Sequence, residues 1–275
     1  MWLIPGCLPI LRRVPPVNFL STAFPSPLNG MQQMDRQALI TDLAENAHVR
    51  ILRTDTVTDP DKLADSATLL SPDETARFNR FRFDADRRLF LLSHAMLRRA
   101  LSAYADVEPA AWVFSHTVNG KPEIAGPDPG LPLRFNLTHT RGLAACVVTH
   151  SVDCGVDAEQ LSVRRHAMEI AARMFAAEEL EVLRGLQGQA FLEQFYACWT
   201  LREAYGKARG VGLTGVGKHI RFERDTHGAW QLHCGEPGPS GGHWQLAVEH
   251  IPANYMVSVA INSSTAGIRM LEFDF

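Results

Sequence analysis

The chain has 275 residues, 46% hydrophobic and 21% charged, with a formal net charge of −3. This is ordinary globular composition, with room for one large domain or two smaller ones. It argues against a general nucleic-acid binder, which carries a strong basic excess, and no run of about 18 apolar residues is present to span a membrane.

Five cysteines stand at 7, 146, 154, 198 and 234. The count is odd and none forms a CxxC pair. Both facts fit reduced thiols in a cytoplasmic protein better than a disulfide frame or a structural zinc site.

Six of the sixteen prolines fall in the first 30 residues. The pair Arg12–Arg13 follows the short apolar stretch there, the wrong order for a secretory signal. Residues 1–33 are expected to be a disordered tail, with the working protein starting near Met31 or Met34.

Periodic structure begins near Asp35. Residues 49–54 read as a strand. Ser71-Pro72-Asp73-Glu74 then combines an N-cap serine, a proline at the first helical position and a glutamate three residues after the cap. The helix it opens carries Phe78 and Phe81. A second helix is predicted from about 86 to 104, with Leu89, Leu92, Met96, Leu97, Ala100, Leu101 and Tyr104 at helical spacing. Short strands follow at 111–115, 133–136 and 144–148, separated by turn signals at 119–122 and 126–132.

The second half repeats this order. Residues 154–159 alternate like a strand. Helices are predicted at 164–174, 177–186 and 189–209, the last ended by Gly210, and strands at 220–223, 230–233, 244–249 and 255–261. The fold class is therefore α+β with two similar halves, 34–151 and 152–262, and a C-terminal tail at 263–275.

Four segments carry chemistry. Asp157 and Glu159 lie two apart on a strand, so both face one side. Two carboxylates on one face repel unless a cation or solvent lies between them, and a hard divalent metal fits that need. A solvated sheet face would look the same. Trp199, Glu203 and Lys207 are spaced four apart and line one helical stripe; Glu203 and Lys207 would equally suit a surface ion pair worth about 0.3–0.5 kcal/mol. A glycine-rich run follows at Gly210, Gly212, Gly215 and Gly217. The turn 119–122 and the strand end at 135–140, with Thr138, His139 and Thr140, complete the set; hydroxyl groups of this kind suit an anion-binding loop.

In this order, NGKPEI (119–124), FNLTHT (135–140), GVDAE (155–159) and WTLREAYGKARG (199–210) together resemble the 4′-phosphopantetheinyl transferase superfamily, in its long monomeric form that activates surfactin synthetase and similar enzymes. The resemblance covers roughly residues 70–262. It implies that the two α/β halves form a pseudo-dimer with the active site at their interface. It implies magnesium ligands at Asp157, Glu159 and Glu203, catalytic roles for Glu203 and Lys207, and coenzyme A contacts from Arg77, Arg80, Arg88, Lys121, Thr138, His139 and Lys207. The implied reaction moves the phosphopantetheine arm of coenzyme A to a serine of an apo acyl or peptidyl carrier protein, with release of 3′,5′-ADP, by a cytoplasmic monomer. Arg202 stands where the family usually has lysine, Thr138 where it has serine, and Ala158 where it has a larger apolar residue. Arg164, Arg165 and Arg173 are candidate contacts for an acidic carrier, although a solvated helix face would also carry such charges. The alternatives are a magnesium-dependent phosphohydrolase, which would transfer to water, or a non-catalytic coenzyme A binding module.

Overall fold

The computed structural model describes residues 35–234 and 243–275; the expected tail at 1–33 lies outside them. The first half starts with α1 (Arg36–Glu45), capped by the Asp35 carboxylate, which accepts from Ala38 N at 2.8 Å, and β1 (Asn46–Arg53). The next helix, α2 (Pro60–Thr68), opens on Asp59 with Pro60 at its first position, a pairing that suits a helix start because proline has no N–H to leave unpaired. In α3 (Pro72–Phe78) the capping box closes both ways: Ser71 Oγ accepts from Glu74 N at 3.2 Å, and Ser71 N donates to Glu74 Oε2 at 2.8 Å. This helix ends before Phe81, which instead packs on Phe90 of α4 (Asp84–Ser102) at 5.3 Å.

After α4 come the hairpin β2 (Val113–His116) and β3 (Pro122–Gly126), then β4 (Leu133–Thr140) and β5 (Leu143–His150). The strand expected at 111–115 starts two residues late, because Pro109–Ala111 form a 3-10 turn. The second half comprises β6 (Cys154–Gln160), α5 (Ala167–Met174), α6 (Ala177–Arg184) and α7 (Gly188–Arg209), followed by β7 (Ile220–Arg224), β8 (Trp230–Cys234), β9 (Trp244–Ile251) and β10 (Tyr255–Asn262). Gly210 ends α7 with φ +66°, the left-handed conformation that glycine adopts at least cost.

The two halves share one topology. In the first, strands run β1-β5-β4 with β2-β3 as a separate hairpin; in the second they run β6-β10-β9 with β7-β8 apart. The first sheet has a further strand. Residues set aside as a tail contain β11 (Gly267–Glu272), which pairs parallel with β1 along Asn46–Ile51.

Residues Met34–Phe275 form one compact unit. The alternating faces of the strands explain how the halves join. Val49, Ala145, Val147, Val156, Ala158, Val257 and Val259 make one buried cluster between the two sheets, each fully buried valine worth about 1.5–3 kcal/mol. The opposite face of the second sheet, with Met256 and Ala260, packs on Phe195, Leu201 and Tyr205 of α7. Among the described residues, no helix is long and apolar enough to cross a membrane.

Candidate active site

The site follows from the pleat of β6. Val156 and Ala158 enter the core between the sheets, so Asp157 and Glu159 face the other way, toward α7. Gly155 shares that face and sets the spacing. A Cβ there would lie 2.0 Å from Ala204 O and 2.5 Å from Ala208 N, so only glycine lets β6 approach this closely. The helix then delivers Glu203 and Lys207 over the strand.

β4 supplies the third wall. Asn136 Oδ1 accepts from Val156 N at 3.0 Å and ties β4 to β6. Two residues on, Thr138 Oγ1 donates to Asp157 Oδ1 at 3.2 Å and accepts from Lys207 Nζ at 3.0 Å. Lys207 Nζ also donates to Asp157 Oδ1 at 2.7 Å and to Val156 O at 3.2 Å. Strand β4 belongs to the first half and β6 and α7 to the second, so the cluster straddles the join.

The carboxylates feel one another. Burial, and then the charge of Asp157, push both Glu159 and Glu203 above the usual carboxylate range. Lys207 counteracts this at both; Arg164 and a hydrogen bond from Trp199 add to that at Glu159. The Arg164 guanidinium reaches Glu159 Oε1 at 3.3 Å and lies 5.4 Å over the Trp199 ring. Asp157 Oδ2 is buried with no hydrogen-bond partner. Among the described residues, no three His, Cys, Asp or Glu side chains are gathered closely enough to hold a metal ion.

A cavity of about 470 Å³ opens beside this cluster. Arg77, Thr138, His139 and Lys207 line it, together with residues that the sequence analysis did not place at a site: Asp73 and Glu74, read there only as a helix start, and Phe90, His94, Phe114 and His116. His139 stands at its edge, with one side open to solvent and the other set against the cavity walls. Enclosure by the walls, followed by the charges of His94, Lys207 and Arg77, pushes its pKa below the usual histidine value. No sequence pattern pointed to these added residues: Glu74 and His94 stand on consecutive helices and meet only in the fold, where their hydrogen bond is 2.7 Å long.

Other expected residues lie apart from this cavity. Lys121 borders a smaller adjoining one of about 290 Å³, and its ammonium donates to Ala208 O at 3.0 Å near the end of α7. Asn119 does the same for Gly210 O at 2.7 Å. The 119–122 turn therefore braces the helix that carries Glu203 and Lys207. Arg80, two residues past the end of α3, donates from Nε to Ala76 O of that helix, and Arg88 lies within electrostatic reach of Asp55; neither lines the cavity. Arg165 and Arg173 are exposed. Arg202 is wholly buried and grips Glu179 with two bonds of 2.9 and 2.6 Å, so its guanidinium serves the core and not the cavity.

A carboxylate cluster joined through Lys207 to a cavity lined by Arg77, His94 and His139 belongs to the class of sites that suit a phosphate-bearing ligand. Comparison with known sequences narrows the class. Residues 58–151 match the family described as 4′-phosphopantetheinyl transferase, N-terminal, and residues 153–260 match the 4′-phosphopantetheinyl transferase superfamily. The chain belongs to the 4′-phosphopantetheinyl transferase superfamily. It is 38% identical over 152 residues to the 4′-phosphopantetheinyl transferase HetI of Nostoc sp., a match that covers 55% of this chain and 64% of that one. It is 34% identical over 155 residues to a phosphopantetheinyl transferase of Thraustochytrium sp., covering 52% of this chain and 54% of that one. The chain thus spans less than two thirds of the length of these relatives. A solved holo-(acyl-carrier-protein) synthase from Bacillus anthracis, in complex with CoA (3′,5′-ADP), superposes with a TM-score of 0.36 at 22% identity, over 40% of this chain and 95% of that one.

Proposed function

We propose that this chain transfers the 4′-phosphopantetheine group of coenzyme A to a serine of an apo acyl or peptidyl carrier protein, leaving 3′,5′-ADP. One observation carries the reading beyond family membership. Lys207 stands on the boundary between the carboxylate cluster and the cation-lined cavity, touching Asp157 and lining the cavity at once. A nucleotide lying in that cavity would meet the carboxylates at its diphosphate.

The donor set fits a hard divalent cation in kind. Three carboxylates come from two facing elements, and one oxygen of Asp157 is buried and unpartnered. Asp157, Glu159 and Glu203 would hold magnesium, which when bound withdraws charge from diphosphate oxygens. Lys207 and Arg164 are the groups that now answer those carboxylates.

The displacement needs positioning and charge neutralisation more than covalent help. The serine Oγ bonds to the β-phosphorus as the bond from that phosphorus to the bridging oxygen of 3′,5′-ADP breaks. Glu203, whose raised pKa brings it nearer to working pH, takes the serine proton, directly or through one water. Lys207 offsets charge on the departing phosphate. The first half, with Arg77, Thr138 and His139, holds the nucleotide; the second supplies the acids and faces the carrier, with Arg164 at the edge of the site. The protein would act as a cytoplasmic monomer.

The test is incubation with coenzyme A, magnesium and an apo-carrier protein. The carrier should gain the mass of one phosphopantetheine unit, and chelation of magnesium should stop the gain. Release of 3′,5′-ADP with an unmodified carrier would point to a phosphohydrolase instead. Binding of coenzyme A with neither product would leave only a binding module.

A further inference from the structure

Two cations answer the carboxylate cluster, and they are held differently. Lys207 Nζ is fixed by Thr138 Oγ1, Val156 O and Asp157 Oδ1, and its partner Asp157 is buried. Arg164 Nη2 donates to Glu159 Oε1 at 3.3 Å, just past the usual range, and both side chains are partly open to solvent. The Arg164 guanidinium also lies over two rings, Tyr196 at 5.7 Å and Trp199 at 5.4 Å. The backbone beneath it is anchored. Arg164 stands on the loop between β6 and α5, where Leu161 N donates to Asn254 O and Asn254 Nδ2 donates to Leu161 O, both at 2.8 Å. Tyr196 Oη donates to Ser162 O at 3.1 Å. A fixed base thus carries a long side chain with two resting places, a carboxylate and an aromatic face.

We infer that Arg164 is a latch on Glu159: its guanidinium occupies the carboxylate that a divalent cation needs, and it withdraws onto the Tyr196 and Trp199 rings when Glu159 turns to the metal. The inference rests on the proposed magnesium site and adds a residue that sets the affinity of that site. A guanidinium and a divalent ion compete for the same oxygen and repel each other. The two rings keep the released charge at the edge of the site. Lys207 cannot serve in this way, because its departure would leave a buried carboxylate without its partner. Glu159 is open enough for water to replace Arg164. A partly exposed pair of this kind is worth only a few-fold in an equilibrium constant, so a divalent ion breaks it, yet every loading of the site carries that cost.

Manganese(II), a hard divalent ion that takes the same oxygen ligands, is the probe. Electron paramagnetic resonance counts the free ion, with neither coenzyme A nor carrier present. Arg164→Gln should bind manganese about fivefold more tightly than the unaltered protein, the most that a partly exposed ion pair is worth. Arg164→Met, which keeps a long side chain against the rings, carries the same expectation and serves if the glutamine variant unfolds. Arg165→Gln makes the same change of charge at the exposed neighbouring residue and should stay within about twofold, since solvent and salt screen it. Unchanged or weaker binding in the Arg164 variants overturns the latch. An equal gain in Arg165→Gln overturns it too, because the effect would then be one of overall charge. Glu159→Gln locates the ion and should bind it far more weakly. An unaltered protein that binds no manganese, or a Glu159→Gln that binds it equally well, overturns the metal site on which the inference rests.

Discussion

Lys207 and Asp157 meet at 2.7 Å through one carboxylate oxygen only; the other, Oδ2, is buried and unpaired. Lys207→Met removes its donors to Thr138, Val156 O and Asp157 together. Transfer should fall at least a hundredfold, the usual effect of losing one preorganised charge at a reacting phosphate or acyl group. Stability should drop by about 1–3 kcal/mol because a buried carboxylate loses its partner. Single-turnover assays and urea unfolding check the two halves of the expectation.

Gly155→Ala probes the spacing between β6 and α7. Its Cβ would sit 2.0 Å from a backbone oxygen and 2.5 Å from a backbone nitrogen, and neither can rotate away. The strand and helix must part, which should cost about 2–4 kcal/mol and separate the acids from Lys207. A lowered melting temperature together with lost transfer is expected; a variant as stable as the parent would refute the tight contact.

Glu74 makes a prediction about acid. Burial alone would raise its pKa, but His94, the Ser71 N–H and Arg98 more than offset this and hold it at about 2. A depressed carboxylate stabilises the fold fully above its unfolded value near 4.5, and that contribution is lost as pH falls toward 2. The shift is worth roughly 3 kcal/mol at most. Urea midpoints measured from pH 6 to pH 3 should fall more steeply in the parent than in Glu74→Gln, which lacks the titrating group.

Arg202 predicts a structural defect with little kinetic signature. Its guanidinium lies between the rings of Phe175 and Phe222 at 4.7 and 5.3 Å and also donates to Ile220 O at 2.7 Å. Arg202→Ala leaves Glu179 buried without its partner, a loss of about 3–5 kcal/mol. Arg202→Lys keeps charge but not the two-pronged grip, so it should recover only part of the melting temperature. The KM for coenzyme A should be unchanged in whatever folded fraction remains.

Local signals were readable from sequence where the chemistry is local. The Ser71–Glu74 capping box and the Gly210 helix end are both built from neighbours along the chain, and both form as expected. The alternation that put Asp157 and Glu159 on one face needed only the two-residue period of a strand. What the sequence left hidden depends on distant partners. The pairing of β11 with β1 joins residues more than two hundred positions apart, and nothing in residues 263–275 announces it. Lys121 stands out in the sequence only through the resemblance of its segment to the family pattern; the hydrogen bond of its ammonium to Ala208 O joins residues 87 positions apart, which no local pattern announces. His94 sits inside an apolar helical pattern and becomes visible only once Glu74 and the cavity are in place.

The repeated sheet has a consequence for stoichiometry. In an association of two identical halves each cleft would receive the same groups, giving two equivalents of nucleotide per pair. Here β6 brings Asp157 and Glu159, while its counterpart β1 runs NAHVRILR and brings arginines but no acid. The duplication is architectural and the equipment is not duplicated, so the chain should titrate with a single equivalent of coenzyme A.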